Sequence, residues 1–66
     1  MTRTAKKNLA ALTATFGGRE FLFNFSAEYA HDAGVGAMVE IGRKVFQGLV
    51  DSGLVKRVSM VSYRLA

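Results

Sequence analysis

The chain has 66 residues, of which 50% are hydrophobic and 21% charged, and it contains neither cysteine nor proline. A chain of this length forms one small domain, residues 1–66, and its apolar content excludes a disordered protein. The absence of cysteine excludes disulfides, thiolate metal sites and a thiol nucleophile. Because small secreted domains usually depend on disulfides, we expect a cytoplasmic protein. No apolar run approaches the length of a membrane span, so we expect no membrane partner.

Basic residues outnumber acidic ones by nine to five, which gives a net charge of +4 and a pI near 10.0. Three of the cations, Lys56, Arg57 and Arg64, follow the last acidic residue, Asp51. A basic protein attracts anionic partners, and nucleic acid above all. The alternative is that these cations are simply solvated.

The first predicted element is a helix over residues 4–16, where apolar residues recur at intervals of four, three and four. These residues are Ala5, Leu9, Leu12 and Phe16. Thr4 is a suitable N-cap, and Gly17 is suited to end the helix in a left-handed conformation. The β-branched residues Thr13 and Thr15 leave a strand as the alternative for this segment.

A strand follows in "REFLFNF", where Phe21, Phe23 and Phe25 alternate with more polar positions. Such an aromatic row can stack on the bases of a single strand, but it more often forms the core of a domain. We therefore assign the phenylalanines to the core.

Two helices are predicted next. Ser26 is a suitable N-cap for a short helix over Ala27–Ala33 that ends at Gly34. A longer amphipathic helix then covers residues 36–52, with its charged and amide side chains on the face opposite the apolar stripe. The stripe contains Ile41, Val45 and Leu49.

The longer helix stops at Gly53, where a left-handed conformation lets Leu54 fold back on Leu49, as in a Schellman-type cap. The remaining segment, "LVKRVSMVSYRLA", is rich in valine and predicts β structure. It forms either one long strand or a hairpin that turns near Ser59 and Met60.

These elements, taken in order, and two segments resemble the winged helix-turn-helix family of DNA-binding domains. Residues 25–35, "FSAEYAHDAGV", are similar to the family's entry from a strand into a helix. Residues 49–57, "LVDSGLVKR", followed by "YRLA", resemble the end of the recognition helix running into the wing. The chain departs from the family in having no glycine, asparagine or aspartate at the tip of the wing, where a tight hairpin prefers them.

The resemblance implies a small winged-helix-like α+β domain with a helix, a short strand, a helix-turn-helix and a C-terminal β-hairpin or strand. It further implies a small regulator of transcription that binds duplex DNA, as a monomer or a homodimer. A second topology, a sheet covered by one helix, remains open if residues 4–16 form a strand.

The same resemblance indicates the nucleic-acid-binding residues. On the polar face of helix 36–52, Arg43, Lys44 and Gln47 are expected to meet base edges, since arginine and lysine suit guanine and glutamine suits adenine. The alternative for this face is an ordinary solvated surface with a Glu40–Lys44 pair one turn apart. In the wing, the cations Lys56, Arg57 and Arg64 are expected to contact phosphate.

We expect no catalytic, cofactor or metal site. His31 is the only histidine, and its neighbours Glu28 and Asp32 do not complete a recognisable ligand set. We interpret it as a histidine on the surface of the short helix. The chain is therefore not expected to be an enzyme. A small protein-interaction module, such as an inhibitor or accessory subunit of a larger protein, is the alternative function, because fold alone does not determine function.

Overall fold

The computed structural model describes residues 2–32, 34 and 36–66, which contain two helices and five strands. In chain order these are α1 (Arg3–Phe16), β1 (Phe21–Asn24), β2 (Tyr29–His31), β3 (Met38–Glu40), α2 (Arg43–Asp51), β4 (Val55–Arg57) and β5 (Ser62–Leu65). The strands form one antiparallel sheet in the order β3-β2-β1-β5-β4. The expectation of a small α+β domain is confirmed, whereas the order of the elements differs from the predicted one.

Both helices pack on the same face of the sheet, because their buried side chains join those of alternate strand positions in one cluster. The cluster contains Leu12, Phe16, Phe21, Phe23, Ala30, Val39, Ile41, Phe46, Leu49, Val55 and Tyr63, with Leu9, Val45 and Leu54 partly buried against it. Among the described elements, none covers the other face of the sheet. We call that surface the open face.

The predicted helix over residues 4–16 is confirmed and begins one residue earlier, at Arg3. Thr2, and not Thr4, is the N-cap: its side-chain oxygen accepts a hydrogen bond from the backbone N–H of Ala5 at 3.1 Å. The helix ends at Gly17, whose φ of 57° is in the left-handed region that glycine adopts without strain. The strand alternative for this segment is therefore excluded.

The predicted helix over Ala27–Ala33 is wrong: its described part forms a turn and the strand β2, while Ala33 lies outside the described residues. The side chain of Asn24 accepts the backbone N–H groups of Ser26 and Ala27, so Ser26 is part of the turn and caps no helix. Glu28 has a φ of 60°, which no helix tolerates. Ala30 then enters the core between its cross-strand partners.

The predicted helix over residues 36–52 is too long, because its N-terminal part forms strand β3 and the helix begins only at Arg43. Val39 alternates with exposed neighbours as a strand residue does, and Gly42 separates the strand from α2. Gly42 has no side chain to cap the helix. Glu28 does so from the β1–β2 turn: its Oε1 accepts the backbone N–H of Arg43 at 3.0 Å.

The predicted stop at Gly53 is confirmed. The N–H of Leu54 donates to the carbonyl of Leu49, and the N–H of Gly53 donates to that of Val50, both at 3.0 Å. These two bonds form the Schellman motif, and Gly53 has a φ of 81°. Of the two alternatives for the segment that follows, the hairpin is observed: β4 pairs with β5.

Gly48 and Gly53 should respond oppositely to substitution by alanine. A Cβ at Gly48, inside α2, meets no atom within 4 Å, so Gly48→Ala should stabilise the domain by about 0.5–1 kcal/mol through helix propensity. Gly53→Ala should destabilise it by about 1–2 kcal/mol, because alanine is strained in the left-handed conformation. Urea denaturation measures both effects. A destabilised Gly48→Ala variant would contradict the placement of α2.

The capping of α2 by Glu28 gives a second prediction. Glu28→Ala removes the acceptor of the Arg43 N–H and should cost about 1 kcal/mol in the free energy of unfolding. Glu28→Gln is the matched control, because its amide oxygen still accepts that bond, and it should lose less. Equal losses in the two variants would show that the hydrogen bond to the helix contributes nothing measurable.

Candidate nucleic-acid interface

The open face of the sheet is composed of strand residues whose neighbours point into the core. In β2, Ala30 is buried, so Tyr29 and His31 lie on the open face. In β4 and β5, Val55 and Tyr63 are buried, so Lys56 and Arg64 lie there too. By the same alternation the face also contains Leu22, Asn24, Met38, Glu40 and Ser62. Across the open face, the aromatic residues of β2 therefore lie between Glu40 on β3 and the two cations on β5 and β4.

Lys56 and Arg64 are directly opposite each other in the β4–β5 register. Residues that are paired in this way have Cβ atoms about 4.5–5.5 Å apart, and like charges in such a pair destabilise the sheet. The ion pairs of the described residues involve neither side chain. Both side chains are exposed. The pair is therefore a concentrated positive charge outside the two ion pairs of the described residues, which is suited to bind an anion.

Arg57 points away from the open face and is engaged by its own hairpin. Its Nε donates to the carbonyl of Ser59 at 3.1 Å, and its terminal nitrogen donates to that of Met60 at 3.4 Å. The side-chain oxygen of Ser59 accepts the N–H of Ser62 at 3.2 Å. These contacts explain how the hairpin turns without glycine, asparagine or aspartate at its tip. Arg57 was predicted to bind phosphate, and its side chain hydrogen-bonds the backbone of the turn.

The hairpin tip is strongly apolar for a surface loop. Met60 is 83% exposed and Val61 64% exposed, and Val58 beside them is also exposed. Adjacent exposed apolar side chains are a feature of many contact surfaces. We call residues 58–61 the hairpin tip.

The three predicted base-reading residues lie on the outer face of α2 and are exposed. Arg43 is 3.5 Å from a carboxylate oxygen of Glu28, and Gln47 donates to Asp51 at 2.9 Å. The alternative for this face included a Glu40–Lys44 pair one helical turn apart. Glu40 is in β3 and Lys44 is in α2, so no helical turn joins the two residues. Lys44 is thus the cation of this group without an ion-pair partner within the described part of the chain.

The six predicted residues therefore occupy three places. Arg43, Lys44 and Gln47 lie on the helical layer, and Lys56 and Arg64 lie on the opposite, open face. Arg57, at the end of β4, points away from the open face and donates hydrogen bonds to the hairpin tip. The expectation that one duplex meets both the helix and the basic strand does not fit this arrangement, since the sheet separates the two groups.

Tyr29 and His31 are the residues that the sequence interpretation missed. Both are half-buried on the open face, and their ring centroids are 5.3 Å apart with planes tilted by 49°. His31 was expected on a helix surface and lies instead in β2. The alternation of Tyr29, Ala30 and His31, with a small residue between two rings, fits a strand but is too short to distinguish a strand from a helix.

The other charged groups have mainly structural environments. Arg19 donates to the carbonyls of Thr15 and Phe16 at the end of α1 and forms an ion pair with Asp32. Within the described residues, no three histidine or acidic side chains lie close enough together to hold a metal ion. Of the two helices that the structure describes, neither is long and apolar enough to cross a membrane.

An apolar groove of about 610 Å³ lies between the start of α1 and one face of α2. Its lining includes Ala5, Val45, Leu49 and Leu54, with Lys44 as its charged member. A mainly apolar depression of this size is suited to an apolar side chain or ligand and not to phosphate. It is separate from the open face.

The contacts of Arg57 predict an effect on the order of the hairpin tip. Arg57→Lys replaces a planar fork by a single ammonium group that cannot bridge the same two carbonyls. The backbone of Met60 and Val61 should then become more mobile, as measured by heteronuclear NOE. Arg64→Lys, the same change on the neighbouring strand, should leave the tip unaffected. An unchanged tip in Arg57→Lys would show that the two hydrogen bonds do not order it.

The chain was also compared with known proteins. No family model, no curated protein and no solved structure matches it.

Proposed function

We propose that the protein binds nucleic acid and that Lys56 and Arg64 are its principal phosphate contacts. The observation that carries this proposal is the direct opposition of the two cations on the open face, with both side chains outside the ion pairs of the described residues. Two like charges held side by side weaken the sheet. An anionic ligand removes that repulsion, and a phosphate backbone supplies a row of such anions at regular spacing.

Duplex DNA, the partner that the winged-helix resemblance implies, is a competing form of this proposal, in which α2 and not the open face meets the ligand. Its support is limited to one part of the architecture: α2 runs through a glycine stop into the antiparallel hairpin β4–β5, as a recognition helix runs into a wing. The contacts of Arg43 and Gln47 with neighbouring acids do not prevent base reading, because exposed ion pairs contribute only about 0–1 kcal/mol. In this form Arg43, Lys44 and Gln47 read bases and the protein regulates transcription.

The open face supports nucleic-acid binding better than α2 does. On α2 the positive charges of Arg43 and Lys44 lie among Glu28 and Asp51, with which Arg43 and Gln47 interact. Lys56 and Arg64 take part in neither of the ion pairs in the described parts of the chain. Phosphate binding that is carried by Lys56 and Arg64 does not require a helix-turn-helix.

A charge-matched pair of double variants tests the proposal. Lys56→Ala/Arg64→Ala should weaken binding on all sequences and reduce the slope of log affinity against log salt by about 1.5, because each phosphate contact contributes about 0.7–0.9. Lys6→Ala/Lys7→Ala removes the same charge from the exposed side of α1 and should reduce the slope much less. Fluorescence anisotropy over a range of salt concentrations measures both.

The thermal stability of the same proteins separates binding from folding. Lys56→Ala/Arg64→Ala should unfold at the parent's temperature or above it, because the variant loses a repulsive pair and no described ion pair. Equal salt slopes in the two double variants would overturn the assignment of Lys56 and Arg64. A parent without measurable affinity for any nucleic acid would overturn the proposal itself.

The hairpin tip favours the alternative of a protein-interaction module. Its exposed Met60 and Val61 are held by the hydrogen bonds of Arg57, and ordered apolar side chains suit the pocket of a partner protein. Met60→Ser/Val61→Ser should then abolish binding to that partner without loss of fold, as measured by affinity capture beside the parent. If nucleic acid is the partner of the open face, the same variant should retain its affinity for nucleic acid.

A further inference from the structure

We infer that the nucleic acid bound by the open face is single-stranded and that Tyr29 and His31 stack on its unpaired bases. This inference rests on the proposed function and names its substrate class. It differs from the duplex-reading form in the ligand, in the surface and in the residues that meet the bases.

The aromatic pair has the position that base stacking requires. Tyr29 and His31 are two residues apart in β2 and therefore lie on the same side of the strand. Their cross-strand neighbours are Asn24 and Glu40 for Tyr29, and Leu22 and Met38 for His31. These neighbours leave both rings half-buried, so each ring is supported by the sheet and still exposes surface.

The width of the open face argues against a duplex groove as its ligand. Five adjacent strands span roughly 19 Å, from four spacings of about 4.8 Å each. The major groove of DNA is about 12 Å wide and admits a helix or a two-stranded ribbon. The face as a whole therefore cannot enter the groove. A single strand can lie flat across it and bring its bases onto the sheet, because unpaired bases expose their faces.

The charge on the open face gives the bound strand an orientation. Lys56 and Arg64 lie on β4 and β5, whereas Glu40 lies on β3 at the other edge of the sheet. Phosphates are therefore attracted to the β4–β5 side and repelled from the β3 side. The column of Tyr29 and His31 is two strand spacings, roughly 10 Å, from that of Arg64.

The residues between the rings and the cations fit a nucleotide as well. Leu22 and Ser62 are cross-strand partners, and Leu22 is also the partner of His31. The apolar side chain can pack against a base or sugar, and the hydroxyl can donate to phosphate or a base edge. The row of His31, Leu22 and Ser62 thus changes from aromatic to apolar to polar, and Arg64, paired with Lys56, lies two residues further along β5.

The test compares the parent with ring variants on matched ligands: a short oligothymidine strand and the same strand paired with oligoadenine. The parent should bind the single strand more tightly. Tyr29→Ala should weaken single-strand binding about 5- to 150-fold, the equivalent of about 1–3 kcal/mol per stacked base. Tyr29→Phe retains the ring and should bind almost as the parent does. His31→Ala should fall in the same range as Tyr29→Ala.

Two further readouts distinguish stacking from a structural role. The salt slope should be unchanged in Tyr29→Ala, because no phosphate contact is lost, and reduced in Lys56→Ala/Arg64→Ala. In the parent, the ring protons of Tyr29 and His31 should shift upfield by NMR as oligothymidine is added. This second measurement requires no substitution, so it decides the matter even if Tyr29→Ala fails to fold.

The possible failures are separable. No affinity for either ligand would overturn the proposed function together with this inference. Tighter binding of the duplex, full affinity in Tyr29→Ala, or ring protons that do not shift would overturn the inference and leave nucleic-acid binding in place. Sedimentation that shows a dimer, dissociated by Met38→Lys on the open face, would assign the face to a second copy of the chain and overturn the inference.

Discussion

The packing of Phe46 against the aromatic residues of the sheet is the interaction on which the rest of the structure depends. Phe46 is fully buried in α2, where its ring stacks on Phe23 and meets the edges of Phe21 and Tyr63. These contacts join the helix to β1 and β5, the two strands that connect the halves of the sheet. Aromatic pairs contribute about 0.5–1.5 kcal/mol beyond the burial of their area, which matters in a domain of 66 residues.

The short length of the chain explains why one face of the sheet is open. Two helices of 14 and 9 residues cover one side of the sheet, and among the described elements none remains to cover the other. A sheet with one solvated face alternates apolar and polar positions, and β4 and β5 follow that rule. Tyr29, Leu22 and Met38 depart from it, because they place aromatic and apolar side chains on the solvated face. This departure, together with the unpaired cations, makes the open face the most informative surface for function.

The turns of this protein are held by side chains. Asn24 holds the β1–β2 turn, Glu28 caps α2 from that turn, and Arg57 holds the hairpin tip. Arg19 joins the end of α1 to Asp32 beyond β2 in the same way. Because the chain has no proline, it has no residue that fixes φ in advance, and polar side chains provide the constraint. Several charged residues are therefore structural, and an inference from net charge alone would assign them to a ligand.

The sequence by itself determined the features that depend on local physics: the periodic helix α1, the phenylalanine strand β1, the glycine stop at Gly53 and the main core residues. The assignment of Phe25 to the core was wrong, because it lies beyond the end of β1 and is 38% exposed. The sequence did not determine β2 and β3, because three residues such as Tyr29–His31 are too few for a period, and their strand state depends on pairing with neighbouring strands.

Tertiary structure also decided which of the predicted cations lie together. Lys56 and Arg64 are eight positions apart in sequence and become neighbours only through the β4–β5 register, whereas the alternation of side chains along β4 places Arg57 on the other side of the sheet. Register depends on which face of each strand is buried and on the geometry of the turn, and this turn is held by side-chain contacts of Arg57 and Ser59 that the local sequence pattern did not reveal.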